Sequence, residues 1–330
     1  MKWNYEKAGV SIEKGNQWVD IVKKMVSEKG FNQNVVGSLG SFSGLYRINE
    51  GQYLSACCDG VGTKLEVAKL AECYEGLGQD LVAMNVNDLV TCGAKPLFFL
   101  DYIACGKLNT PVMTRIMQGI VDACGECDCA LLGGETAEMP DVYPEDGFDL
   151  AGFSVGLVES SSLVTGENIT SGDLIMGIRS SGLHSNGFTL VRKTLLGEDP
   201  HSRLEEVPEK IGIPLWKALL EPTRLYVRQA LAAIRTGTVK GMAHITGGGL
   251  EENIRRIVPE GRSINIDYTL WKRPPVFDLL TESGIDESEM RRVFNLGIGF
   301  VFIVSEEDAP ALSGTLEEFG ESPVTIGKVL

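Results

Sequence analysis

Residues 79–105 read QDLVAMNVNDLVTCGAKPLFFLDYIAC. Gln79 to Thr91 is mostly apolar and reads as a helix, and Pro96 to Cys105 follows it as a buried strand. A buried helix followed at once by a buried strand points to mixed α/β layers. Within the helix Asn85 and Asp88 are three residues apart and share a face, while apolar residues fill most of the remaining circumference. An unpaired buried carboxylate is costly, so Asp88 must meet a metal ion or a cationic side chain. The same holds for Asp101, inside the apolar run 98–103, and for Asp59, directly after a strand ending at Cys58. Three such aspartates suggest an oxygen-donor site of the kind that holds Mg²⁺ and nucleotide phosphates. Separate buried salt bridges to Arg or Lys are the alternative.

The alternation of helix and strand extends in both directions. Asn16 to Lys29 carries apolar residues at 18, 19, 22, 25 and 26, a helical stripe closed by Gly30. Strands are expected at Tyr53 to Cys58, Cys129 to Leu132 and Leu150 to Val158, and helices at Thr63 to Cys73 and Pro111 to Cys124. Between Glu159 and Asp173 the sequence ESSSLVTGENITSGD turns to Ser, Thr, Gly and Asn, which marks the expected boundary between domains 1–165 and 166–330. The second unit repeats the mixed pattern. Its expected strands are Leu174 to Arg179, Val239 to Ile245, Ser263 to Ile266, Gly299 to Val304 and Val324 to Val329. Helices are expected at Gly187 to Leu196, Pro222 to Arg235 and Gly249 to Ile257. The fold class is therefore α/β, with two mixed domains of similar size.

Composition narrows the function. A chain of 330 residues has material for roughly two domains. With 30 Lys and Arg against 45 Asp and Glu, the net charge of −15 repels a phosphate backbone or an anionic membrane surface. Nucleic-acid and membrane partners are set aside, and any anionic ligand must be held locally. MKWNYEKAGVSIEKGNQWVD has no apolar leader region, and the longest apolar runs fall far short of a membrane span, so a cytoplasmic protein is expected. All 8 cysteines lie within the first 129 residues, several in apolar stretches, as reduced buried thiols do. The CGECDC stretch at 124–129 could open a zinc or redox site, but no second CxxC or HxxxH follows to complete it.

Several glycine-containing turns could meet phosphates. Asp59-Gly-Val-Gly-Thr-Lys64 leads from strand to helix, and its glycines let backbone approach a ligand. Ser180-Ser-Gly-Leu-His-Ser-Asn-Gly187 and Thr246-Gly-Gly-Gly249 each precede a helix; two such sites suggest a phosphorylated substrate beside a phosphorylated cofactor, with plain capped helix starts as the alternative. His184, in a polar Gly-flanked loop, is an acid/base candidate, whereas His244 inside Met242-Ala-His-Ile245 looks structural. Glu135 in Gly133-Gly-Glu-Thr136 is a further carboxylate at a strand end. Gly37 to Gly44 is a Gly/Ser loop able to cover phosphates or merely to connect. Neither GxxxxGK[ST] nor GxGxxG occurs, so ATP would be bound without a P-loop. Gly152-Phe-Ser-Val-Gly156 matches the GxSxG pattern of hydrolases, but strand alternation continues through it where the nucleophile elbow needs a sharp turn.

Taken together, these motifs resemble the aminoimidazole ribonucleotide synthetases, also called phosphoribosylformylglycinamidine cyclo-ligases. The resemblance runs nearly end to end: YEKAGV 5–10, DGVGTKL 59–65, DLVAM 80–84, VNDLV 86–90, PLFFLDY 96–102, GGETAEMP 133–140, HSNG 184–187, PTR 222–224, HITGGG 244–249 and FNLGIG 294–299. It implies a homodimer whose N-terminal domains pair into a β-barrel, with ATP near the interface. It further implies ATP-dependent ring closure of formylglycinamidine ribonucleotide through an iminophosphate. On that resemblance Asp59, Asp88 and Asp101 would hold Mg²⁺. Gly37, Gly40, Asp59, Gly60, Gly62, Thr63, Lys64, Asp101, Glu135 and Thr136 would bind ATP. His184, Ser185, Asn186 and Thr246, Gly247, Gly248 and Gly249 would bind substrate. His184, Lys64 and Asp88 would be catalytic, Lys64 by neutralising ATP phosphates. The family is richer in Gly where this chain has Ser38, Ser41 and Ser43. A selenophosphate or thiamine-phosphate type kinase would share the Asp-rich site but not the HSNG and TGGG blocks. A non-catalytic nucleotide-binding regulator would need no acid/base group.

Overall fold

The structure, a computed structural model, describes residues 3–30, 32–37 and 39–330. Ser38 of the Gly/Ser loop lies outside the described residues. Six strands, β1 (Val35–Val36), β2 (Gly44–Asn49), β3 (Gln52–Gly60), β4 (Lys95–Cys105), β5 (Ala130–Glu138) and β6 (Phe148–Glu159), form one sheet in the order β1-β2-β3-β6-β4-β5. With them run helices α1 (Ile12–Lys29), α2 (Lys64–Leu70), α3 (Leu77–Val90) and α4 (Thr110–Glu126). Neighbouring strands are antiparallel except β4 and β5, which are parallel because α4 carries the chain back between them. A second, five-stranded antiparallel sheet follows: β7 (Leu174–Arg179), β8 (Gly241–His244), β9 (Ile264–Ile266), β10 (Ile298–Val304) and β11 (Val324–Val329), in the order β8-β10-β7-β11-β9. β10 is buried along its whole length, as its unbroken apolar run IGFVFIV requires. Among the described residues neither sheet closes into a barrel.

Register assigns the two faces of the six-stranded sheet. Asp59, Gly152 and Asp101 stand in one row across β3, β6 and β4, on the face packed by α3. The opposite face carries Tyr46, Tyr102 and Phe153, which are 40%, 42% and 40% exposed. Ser154 lies in the middle of β6, fully buried, and no turn to a helix follows it, so the hydrolase elbow is absent there. Where α3 crosses α4 the backbones touch: a Cβ on Gly78 would overlap the α4 backbone at Ile116 and Ile120.

Several segments differ from the sequence expectation. β5 extends past Leu132 through Glu138 because its parallel register with β4 carries the exposed GGETAE segment along an edge. β2 occupies 44–49, beyond the expected Gly/Ser loop. Pro222 to Tyr226 is not helical; the helix begins at Val227 because the Pro222, Thr223 and Arg224 carbonyls accept from Ser181, Gln79 and Asn87 side chains. Residues 187–196 split into a short α turn, Phe188–Val191, and a π turn, Arg192–Leu196. At 124–129 the chain closes α4 with a Schellman turn: Cys129 N–H donates to Cys124 O at 3.0 Å and Asp128 N–H to Gly125 O at 3.3 Å. None of the α1 residues is buried, so its apolar stripe, with Trp18 62% exposed, faces no core among the described residues.

The two halves of the chain meet along α3. Asp80 accepts from the Thr223 N–H and hydroxyl at 2.8 and 2.7 Å, and Asn87 Oδ1 accepts from the Tyr226 N–H at 2.8 Å. The N-terminal arm crosses to the second half as well. Trp3 bridges to Ile285, Tyr5 N–H donates to Glu289 at 2.6 Å, and Glu13 pairs with Arg292 at 2.6 Å. Among the described residues no helix is long and apolar enough to cross a membrane.

Candidate active site

A cleft of about 570 Å³ opens where β3 ends against the 184–189 and 246 loops. Asp59, Gly60, Gly62, Thr63, Ser185, Asn186 and Thr246 line it, so the DGVGT segment meets Ser185 to Gly187 of the HSNG block and Thr246, the first residue of the TGGG turn. Asn85 of α3 fixes Asp59 from behind, accepting its N–H at 3.0 Å and donating to its carbonyl at 3.2 Å. Gly152 makes room for this clamp, because a Cβ there would overlap the Asn85 amide and the Phe99 ring. Burial first, and the neighbouring Asp88 carboxylate second, push the Asp59 carboxyl up to about 6, opposed by the Gly60 N–H that donates to it at 2.7 Å and then by His244 and Arg256.

Asp88 is bound by His244, whose Nδ1 lies 2.8 Å from Oδ1. Asn87 Oδ1 accepts from Tyr226 N–H and its Nδ2 donates to Arg224 O, so Nδ2 is also the atom facing His244 Nε2, at 3.4 Å. That arrangement makes Nε2 the acceptor and Nδ1 the protonated donor to Asp88. Asp88 lies outside the cleft lining and acts on Asp59 through its charge.

Asp101 is set apart from that pair, two strands from Asp59 and roughly 10 Å away at the usual strand spacing. The Phe99 ring and Asn85 amide fill the space over the intervening Gly152. Glu135 is in register with Tyr102, on the sheet's other face, and Thr136 with Ile103; both are exposed and neither lines the cleft. Among the described residues no group of three or more His, Cys, Asp or Glu is arranged to hold a metal ion.

Two residues expected at phosphates or substrate are buried instead. Lys64 is fully buried, with its ammonium 2.9 and 2.7 Å from the two Asp80 oxygens and 2.9 Å from the Glu221 carbonyl. All of that charge is spent on Asp80, which explains why the chain tolerates a carboxylate inside α3. His184 is also fully buried, at φ 61, with Nε2 accepting the Ser181 N–H at 3.2 Å. Burial first, then the nearby His244, Lys64 and Arg224 side chains, hold its pKa well below the ordinary value, so it stays neutral. It shapes the loop that presents Ser185 and Asn186 and does not itself line the cleft.

Asn186 and the TGGG loop are joined directly. Gly247 N–H donates to Asn186 Oδ1 at 3.0 Å, while the buried Asn186 Nδ2 has no hydrogen-bond partner among the described residues. Asn253 Nδ2 holds the Thr246, Gly247 and Gly249 carbonyls, which fixes the loop from inside. Gly248 and Gly249 have φ 97 and 64, and a Cβ on Gly249 would overlap the Arg291 carbonyl, so glycine is required. Gly37 and Gly40 also take positive φ, 80 and 103, in a loop outside the cleft wall. Phe42 of that loop is buried, and its ring lies 5.2 Å from the Arg256 guanidinium. Sequence reasoning missed Arg256, and Tyr5, which lines the cleft from the N-terminal arm. Neither stands in a pattern that spacing alone could flag.

The arrangement is an acidic and glycine-rich cleft, and comparison places the chain in a class. Residues 40–158 match the family described as AIR synthase related protein, N-terminal domain, and residues 170–330 match AIR synthase related protein, C-terminal domain. A phosphoribosylformylglycinamidine cyclo-ligase of Geobacillus sp. (strain WCH70) is 47% identical over 98% of this chain and 95% of its own length. One of the same name from Alkaliphilus metalliredigens (strain QYMF) is 44% identical over 100% of this chain and 96% of its own. The chain belongs to this family, the phosphoribosylformylglycinamidine cyclo-ligases. The crystal structure of thiamine-monophosphate kinase from Stenotrophomonas maltophilia K279a shares the fold, with TM-score 0.62 and 16% identity over 94% of this chain and 92% of that one.

Proposed function

We propose that the chain catalyses ATP-dependent ring closure of formylglycinamidine ribonucleotide to aminoimidazole ribonucleotide, ADP and phosphate, in purine biosynthesis. The observation that carries this reading is the cleft in which Asp59 meets Ser185, Asn186 and Thr246, with Asp88 acting on Asp59 from outside the lining, in a chain related to cyclo-ligases over its whole length. An amide oxygen is a very poor leaving group. Transfer of the γ-phosphoryl group of ATP to the formyl amide oxygen makes it a good one, the amidine-derived nitrogen then attacks that carbon, and phosphate leaves as the imidazole forms.

The donor set suits Mg²⁺, a hard cation held by one or two carboxylates together with substrate phosphates. Asp59 and Asp88 repel one another in a partly buried site, and their hard oxygens would hold the ion; when bound with ATP it supplies neutralisation of phosphoryl charge. His244 orients the Asp88 carboxylate through its Nδ1–H, as outer-shell partners of a ligand do. Asn186 would offer its Nδ2–H to a substrate oxygen, and the Thr246 to Gly249 turn, which reaches the cleft at Thr246, would receive the ribose phosphate. Asp101, Glu135 and Thr136 are given no part in this cleft, and Lys64 serves to neutralise Asp80.

We read residues 1–165 and 166–330 as its two domains and the protein as a cytoplasmic homodimer. The exposed Tyr46, Tyr102 and Phe153 support pairing of the six-stranded sheets across the dimer into a barrel. The test measures ADP release from Mg·ATP with and without formylglycinamidine ribonucleotide while following imidazole product. Equal amounts of ADP and aminoimidazole ribonucleotide, only with both substrates, support the cyclo-ligase; ATP binding with no substrate-triggered ADP release moves the function elsewhere in the superfamily.

A further inference from the structure

Tyr5 lies in the N-terminal arm yet lines the cleft that the second half of the chain helps to build. Its position is set from several sides. Trp3 N–H donates to Gly284 O at 3.4 Å, Tyr5 N–H to Glu289 Oε1 at 2.6 Å, and Val10 N–H returns to Tyr5 O at 3.0 Å. The Tyr5 hydroxyl oxygen meets the backbone N–H of Gly187, next to the unpartnered Asn186 amide. Glycines, hydroxyls, carboxylates and small apolar groups make up most of the remaining wall. Phe188, the other aromatic residue along it, is 2% exposed and has Lys64 Nζ 5.7 Å from its ring. Tyr5 is therefore the half-buried ring that a ligand in the cleft can meet.

We propose that Tyr5 is a substrate-binding residue whose ring stacks on the planar nitrogen-bearing end of the ribonucleotide while Asn186 Nδ2 donates to an oxygen beside it. This rests on the cyclo-ligase reading. The open substrate carries a planar amidine and the product a flat aromatic imidazole, so a π face held in place favours the planar geometry toward which ring closure proceeds. The arm ties recognition of the base-like end to the same half of the chain that supplies Asn186 and the TGGG loop.

Steady-state kinetics of Tyr5→Leu, Tyr5→Ala and Tyr5→Phe, with each substrate varied in turn, tests this. Tyr5→Leu and Tyr5→Ala are expected to raise KM for formylglycinamidine ribonucleotide about tenfold while KM for ATP stays within about twofold, and Tyr5→Phe to stay close to the wild type. Tyr5→Leu fills similar space without a π face, so the result does not hang on the arm loosening in the alanine variant. A rise in KM for ATP instead, or unchanged constants in Tyr5→Leu, would overturn the assignment of Tyr5. Wild-type protein that makes no aminoimidazole ribonucleotide would overturn the cyclo-ligase reading itself.

Discussion

Asp88 reaches across the molecule through one hydrogen bond, from α3 in the first half to His244 at the end of β8 in the second. Replacing it with asparagine removes charge from the pair with Asp59 but keeps shape and hydrogen bonding. Asp88→Asn should lower kcat by about 100-fold, with KM for the ribonucleotide and thermal midpoint nearly unchanged, as kinetics and a melting curve would show. His184 acts through protonation instead. Its pKa in the fold lies well below the ordinary 6.5, so the unfolded chain takes up a proton that the folded chain refuses. Stability from this residue is complete above about pH 6.5 and is lost as pH falls, by about 2 kcal/mol at pH 5. Urea unfolding of wild type and His184→Gln at pH 7 and pH 5 checks it, and the variant should show a smaller loss. The acidic pair was legible in sequence because carboxylates inside apolar stretches demand a reason. The burial of His184 was not, since the loop is polar and only tertiary packing folds it inward.

Between elements, Lys64 of α2 and Asp80 of α3 form a fully buried ion pair that Thr223 completes from the second half. Removing the cation leaves Asp80 uncompensated, so Lys64→Met should destabilise the fold by about 3–5 kcal/mol in chemical denaturation. An effect below about 1 kcal/mol would mean that Thr223 and solvent suffice for Asp80. Most strands of both sheets were visible in the sequence because long apolar runs and alternation identify them, but β1 and β2, short or exposed along most of their length, were missed. Helices of five to nine residues such as Leu215–Leu219 and Ala309–Glu317 were missed, being too short for a 3.6 period to declare itself. The non-helical stretch before Val227 was equally hidden, because its carbonyls are claimed by side chains distant in sequence.

For the whole molecule, the exposed apolar face of the six-stranded sheet is the feature that a single chain leaves unfinished. If the proposed pairing uses this face, sedimentation should find dimer for the wild type and monomer for Phe153→Glu, which puts a charge at its centre; an unchanged dimer would place the interface elsewhere, and a monomeric wild type would overturn the pairing. The second consequence concerns α3. Asp80, Asn87 and Asp88 on that one helix each hold a group of the second half. Neither sheet can lose its partner without stripping the same helix, so heating has no partly melted intermediate to populate. Differential scanning calorimetry should return one endotherm whose van't Hoff and calorimetric enthalpies agree per cooperative unit, and two resolved endotherms would contradict this. A chain with two sheets would then behave in the calorimeter as one.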